Sequence, residues 1–166
     1  PLPAANEPTW GLFREGPGLG GLTISRAVET GLDDPVDGPA HQFDYQLNAV
    51  AWAAGNLRAT PRLPVTQRQF ALGMWVKGEG DRVTLNATFL DAQNESWQPA
   101  PIEVDWVGWR WVTFRCDVFA NRWGGDGVVQ RPVTLYHALS ITPGVLAATP
   151  KSLRVQGLTL FSLPNP

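Results

Sequence analysis

Between Gln67 and Lys77 the chain alternates residue by residue: Phe70, Leu72, Met74 and Val76 share one phase, and Gln69, Ala71, Gly73, Trp75 and Lys77 the other. Successive side chains leave a strand on opposite sides, so a period of two marks a strand with one buried face. The pattern recurs. His41–Val50 carries Phe43, Tyr45 and Leu47 in phase, and Val83–Leu90 carries Val83, Leu85, Ala87 and Phe89. The segment after Gly108 carries Val112, Phe114 and Cys116, and Val133–Ile141 carries Val133, Leu135, Leu139 and Ile141. Leu22–Val28 and Leu153–Phe161 add two further runs. No stretch of twelve or more residues has helical spacing. Many short alternating runs divided by turns predict an all-β fold, a two-sheet β-sandwich.

The punctuation agrees, with 17 Gly and 15 Pro in 166 residues. Gly78-Glu79-Gly80-Asp81 is predicted to turn the Gln67–Lys77 strand into Val83–Leu90 as a hairpin. Asn56–Pro64 contains Pro61 and Pro64 and is predicted to break any element. Residues 1–9 read as a linker and residues 10–163 as a single β-sandwich domain, a module cut from a longer polypeptide. Apolar residues make up 43% of the chain and charged residues 17%, which excludes disorder for its bulk. A net charge of −2 without basic clusters leaves no nucleic-acid stripe and no polybasic membrane patch. The apolar runs are too short and interrupted for a transmembrane helix.

The chemistry of common enzyme sites is missing. One cysteine, Cys116, and two histidines, His41 and His137, exclude cysteine-rich zinc sites. No HExxH, GxSxG or phosphate-binding glycine loop occurs. Cys116 alternates with Phe114 and Val118 and is predicted to be a small buried hydrophobe. His137 falls on the inward phase of its strand and is predicted to be a hydrogen-bonded interior residue. The carboxylates, Asp91, Glu95, Asp117 and Asp126 among them, cluster at predicted turns, where they cap and solvate. No catalytic residue is assigned.

The outward positions are more telling. Two Trp and a Tyr stand among amides and hydroxyls where a plain solvated strand face favours Lys, Glu and Thr. Sugar rings present an apolar C–H face and a fringe of hydroxyls, which aromatic planes and amide, guanidinium or carboxylate groups complement. The candidate carbohydrate-binding residues are Trp111, Tyr136 and Trp75 as stacking platforms, and Arg115, Asn86 and Gln69 as hydroxyl partners. They are expected on one outward face, centred on Trp111, Tyr136 and Arg115. Trp10, Trp52, Trp97, Trp106, Trp109 and Trp123 are assigned mostly to core plugs and packing corners, with Trp52 and Trp97 also candidates for a cleft rim. The competing reading makes the aromatic face a docking surface for a neighbouring catalytic domain, without sugar binding. A less favoured one makes the chain a glycosidase itself.

The motifs resemble those of galactose-binding-domain-like β-jelly-roll modules. Leu72-Gly73-Met74-Trp75-Val76-Lys77-Gly78-Glu79-Gly80 is similar to a strand and turn of those modules, and Val83–Ala92 to the segment after it. Val104-Asp105-Trp106-Val107-Gly108-Trp109-Arg110-Trp111-Val112 matches their double-Trp segment, and Trp123-Gly124-Gly125-Asp126-Gly127 keeps the same order. The resemblance covers roughly half the chain, and such modules are similar to carbohydrate-binding modules of the family 11 type. It implies a jelly roll that binds glycan across its concave sheet, with Trp109 as a structural corner. It implies a non-catalytic, monomeric accessory module of a secreted glycoside hydrolase, covalently linked to the catalytic domain. The expected ligand is a β-glucan or another plant cell-wall polysaccharide. No cofactor is required. A structural calcium is a family feature, and Glu15, Asp33 and Asp34 are its candidate ligands. The acidic residues the family carries on its last strand are Gln156 and Gly157 here.

Overall fold

The computed structural model describes residues 9–15, 22–27, 35–36, 40–45, 54–65, 69–142 and 149–164. These residues form twelve strands and no helix: β1 Thr9–Glu15, β2 Leu22–Ala27, β3 Ala40–Tyr45, β4 Ala54–Val65, β5 Phe70–Glu79, β6 Val83–Leu90, β7 Ser96–Gln98, β8 Ile102–Val104, β9 Val107–Arg115, β10 Asn121–Trp123, β11 Val133–Thr142 and β12 Lys151–Ser162. They pair antiparallel in two sheets. The seven-stranded sheet runs β1-β4-β11-β6-β7-β10, with β8 also on β6, and the five-stranded sheet runs β2-β3-β12-β5-β9.

The alternation read from the sequence becomes the sandwich. Leu72, Met74 and Val76 of β5 and Phe114 of β9 face Leu85, Ala87 and Phe89 of β6 and Leu135 of β11, all within 1% of full burial. Phe70 on the five-stranded sheet meets Phe89 on the other edge-on, with ring centroids 5.2 Å apart. Cys116 is fully buried and its Sγ contacts the Phe114 carbonyl at 3.3 Å. Burial pushes its thiol up to about 12, so almost no thiolate forms near neutral pH. Ellman's reagent at pH 8 is therefore expected to leave the folded chain unlabelled and to react at the rate of unfolding. Fast labelling without loss of structure would place Cys116 nearer the surface than this packing allows.

Two local expectations fail for identifiable reasons. β5 and β6 are not a hairpin: β5 pairs with β9 and β12, and β6 with β7, β8 and β11. The turn between them carries the chain from one sheet to the other. Gly80 and Arg82 there have positive φ, and Arg82 N–H donates to the Val104 carbonyl at 3.0 Å. Alternation marks a half-buried strand but does not name its neighbour. The two prolines do not break β4 either. Pro61 falls where the β11 pairing steps from Leu63 opposite Leu135 to Arg58 opposite His137, so no ladder bond is asked of it. The β1 pairing ends at Thr60, which leaves the other edge open at Pro64.

Candidate functional site

On the five-stranded sheet, the β5 residues turned away from the core are Ala71, Gly73, Trp75 and Lys77. Opposite them on β9 stand Arg115, Thr113, Trp111 and Trp109. Trp111 leans across β5 and occupies the space above Gly73, where a Cβ would lie 2.2 Å from its Cζ2 and 3.0 Å from Cε1 of Phe161. Trp75 meets Trp111 at 5.7 Å and 71°, edge to face. Trp111 keeps 40% of its surface exposed and Phe161 36%. Arg115 is exposed and engages Asp117 with two bonds, Nη2 to Oδ2 at 2.7 Å and Nε to Oδ1 at 3.3 Å. That pair borders an open hollow of about 460 Å³ between Ala100–Ile102 and Thr113–Ala120. Gln69 lies just before β5 in the phase of Ala71, and its carbonyl accepts the Leu163 N–H at 3.1 Å.

The outer face of the seven-stranded sheet has a different character. Asn121 of β10 lies opposite Gln98 of β7, and Thr88 of β6 lies opposite His137 of β11, which lies opposite Arg58 of β4. Gln98 Nε2 donates to Thr88 Oγ1 at 2.9 Å and closes the row. With strands ~4.8 Å apart, this polar row runs ~19 Å across five strands. Asn86 sits two residues away on β6, opposite Ser140. Trp123 of β10 sits at the sheet edge, opposite Ser96, and is 55% exposed.

Tyr136 and His137 owe their places to a bulge. The β11 register shifts between Leu135 and His137 against both neighbours. An inserted residue puts consecutive side chains on one side, and the Tyr136 and His137 rings stack at 4.1 Å and 22°. Arg58 Nε donates to His137 Nε2 at 2.7 Å, and its guanidinium lies 4.7 Å from the Tyr136 ring centre. His137 is thus buried as expected but belongs to the outer face, because strict alternation ends at the bulge. The six sequence-assigned residues therefore do not share one face. Trp75, Trp111, Arg115 and Gln69 belong to the five-stranded side, while Tyr136 and Asn86 lie on the opposite side of the sandwich.

A buried carboxylate pair fixes the edge that carries Trp123. Asp91, 4% exposed, accepts the backbone N–H groups of Gln93, Glu95 and Gln130 and the Trp97 indole N–H. Burial alone raises its pKa, but the four donors outweigh it and hold the carboxyl below the usual range. Glu95, 2% exposed, accepts the Gly127 N–H at 3.1 Å and Arg122 Nη1 at 3.4 Å. Gly125 has φ +62, and a Cβ there would strike Glu95 Oε2 at 2.4 Å. The loop after Trp123 is thus clamped from beneath.

The sequence reading missed Trp123, Gln98 and Arg58. A signal for Trp123 exists: a tryptophan followed by three glycines in four residues has little chain around it to provide cover. Of the other tryptophans, Trp97 is 7% exposed and in the core, not at a rim. Trp106 fills the corner role that the resemblance gave to Trp109, donating its indole N–H to the Val76 carbonyl at 3.3 Å. Trp109 is half-buried on the outer face, with the Lys77 ammonium 5.8 Å from its ring. Trp52, Asp33 and Asp34 lie outside the described residues, as do the side chains of Trp10 and Glu15. Among the described residues no three His, Cys, Asp or Glu side chains gather as a metal would require. Gln156 is buried and donates its amide Nε2–H to the Val36 carbonyl at 2.8 Å.

By sequence, no protein-family profile and no curated protein matches the chain. By structure, the family 11 carbohydrate-binding module from Clostridium thermocellum in complex with a β-1,3-1,4-mixed-linked tetrasaccharide superposes with a TM-score of 0.59. The identity is 12%, over 92% of this chain and 88% of that one. The fold is that of the family 11 carbohydrate-binding modules. TmCBM61 in complex with β-1,4-galactotriose shares it at a TM-score of 0.51 and 14% identity, over 93% of this chain and 88% of that one. The family 11 fold also occurs as part of a longer chain. The glycoside hydrolase domain of Endo-D from Streptococcus pneumoniae R6 superposes at a TM-score of 0.60 and 17% identity, over 93% of this chain but 22% of that one.

Proposed function

We propose that the chain is a non-catalytic, monomeric module that binds polysaccharide across the outer face of the seven-stranded sheet and keeps an attached glycoside hydrolase at its substrate. The observation that carries this reading is the exposed Trp123 indole, two residues along β10 from Asn121, where a polar row that crosses five strands ends. An indole plane takes the C–H face of a sugar, and the amides and Arg58 take its hydroxyls. Two structures of the same fold are described as complexes with β-linked oligosaccharides. This favours a β-glucan or a related plant cell-wall glycan, met outside the cell as part of a secreted protein. Tethering raises the local concentration of an enzyme at its polymer, an avidity gain that needs no chemistry in the module. Two of the carboxylates serve the fold rather than a reaction. Asp91 and Glu95 are occupied by hydrogen bonds from the fold, leaving neither free to serve as acid or nucleophile.

Affinity gel electrophoresis on mixed-linkage glucan, xylan and mannan tests the reading, with an insoluble-cellulose pulldown beside it. Retardation is expected on at least one β-linked polymer. Trp123→Ala is expected to weaken it by about tenfold or more, the scale of a central aromatic contact. The absence of binding to every polymer would end the proposal, and full retention by Trp123→Ala would end its assignment to this face.

A further inference from the structure

Gly73 stands in the interior of β5, where glycine costs ~0.5–1 kcal/mol against alanine through lost chain entropy. Its φ lies outside the left-handed region, so the backbone conformation does not require glycine. Its missing side chain has one evident use, which is to seat the Trp111 indole. The indole so seated still keeps 40% of its surface in contact with solvent.

We infer that the outer face of the five-stranded sheet is a second glycan-binding surface, so that one module holds two polysaccharide chains on opposite sides of the sandwich. This rests on the reading of the chain as a glycan-binding module, but not on the face assigned there. Trp111 and Trp75 meet at a steep angle and offer a floor and a wall for a sugar ring. Along the outward side of β9, Trp109, Trp111, Thr113 and Arg115 follow one another at two-residue steps of ~6.6 Å, a line of aromatic and polar groups suited to an extended polymer. Beside the aromatic end, Arg154 Nε donates to Gln42 Oε1 at 2.9 Å and Gln42 Nε2 to Asp44 Oδ1 at 2.7 Å. These hydrogen-bonding groups are ordered before any ligand arrives. A protein partner fits less well. A standard interface buries roughly 800 Å² on each side around an apolar centre, whereas here a few rings are rimmed closely by Lys77, Arg115 and Arg154.

The test uses the mixed-linkage β-1,3-1,4-glucan tetrasaccharide, with xylan and mannan oligosaccharides as further probes, in isothermal titration against wild type, Trp111→Ala, Trp123→Ala and the double variant. At oligosaccharide concentrations that fill only the unweakened sites, the expected stoichiometries are two, one, one and none. The intact mixed-linkage polymer should be cross-linked into larger particles by the wild type and by neither single variant. So that a misfolded Trp111→Ala does not decide the matter, the wild-type indole N–H resonances give a second readout. Those of both Trp111 and Trp123 are expected to shift on titration. A stoichiometry of one, unchanged by Trp111→Ala, with a silent Trp111 resonance overturns this inference and leaves the first face standing. Wild-type self-association that Trp111→Ala abolishes overturns it in favour of a protein contact. Failure of every saccharide to bind either face overturns it together with the proposed function.

Discussion

Replacing Asp91 with alanine is expected to cost about 4 kcal/mol of folding free energy, because it leaves buried donors without an acceptor at ~1–3 kcal/mol each. Three of those donors are backbone N–H groups from Gln93, Glu95 and Gln130, and the fourth is the Trp97 indole. At 4% exposure the carboxylate site is cut off from bulk solvent. In a domain of this size the melting temperature should fall by about 10 °C or more. The pH dependence follows from the same bonds. The folded pKa lies below its ordinary value of 3.8, so the folded state prefers the ionised form. That stability is fully present above the unfolded pKa of ~3.9 and is lost as pH falls through it toward the folded value. Urea titrations between pH 7 and 3 should show wild-type stability flat in this contribution down to about pH 4 and declining below. Asp91→Asn should lack that part of the decline. An Asp91→Ala variant within 1 kcal/mol of wild type at pH 7 would mean that the turn has other means of satisfying its donors.

Phe89→Ala is the second large loss. The ring is fully buried, meets Phe70 of the opposite sheet at 5.2 Å and lies 6.1 Å from Phe119. Its removal takes away a contact between the sheets and leaves a cavity that the β ladders on either side prevent from closing. Phe→Ala substitutions in such cores cost ~3–5 kcal/mol. Denaturant titration should show a lower midpoint with an unchanged slope. A loss under about 1 kcal/mol would indicate a core able to collapse around the gap.

What the sequence made legible was the face of each strand, not its neighbour. Phe70, Leu72, Met74 and Val76 alternate because one side of β5 is buried, and this can be read from a single segment. That β5 lies beside β9 and β12 depends on residues as far apart as Phe70 and Ser162, on which the local pattern carries no information. Hence the Gly78–Asp81 segment was read as a hairpin turn, and Trp111 and Tyr136 were placed on one face. Both are outward, but from opposite sheets. Alternation also fails wherever the ladder gains a residue. The bulge at Tyr136 reverses the phase for His137, and no residue type near it announces the change. Trp123 was misread for another reason. Tryptophan is usually well buried, and only the glycines after it, held by the distant Glu95, leave it uncovered.

The position of β12 has a consequence for how the molecule is made. Residues 151–162 are the last of the described strands, yet they lie inside the five-stranded sheet, between β3 and β5. Residues 41–45 and 70–77 wait for this strand with open backbone edges facing each other. During synthesis the two halves of this sheet therefore lack their shared strand until residues 151–162 have emerged. Pairings over such sequence distances form slowly, and bare strand edges invite pairing with other chains. A nascent chain stopped before residue 151 would thus be more than a shortened module: it would display two unpaired templates for intermolecular pairing on the face that carries Trp75 and Trp111.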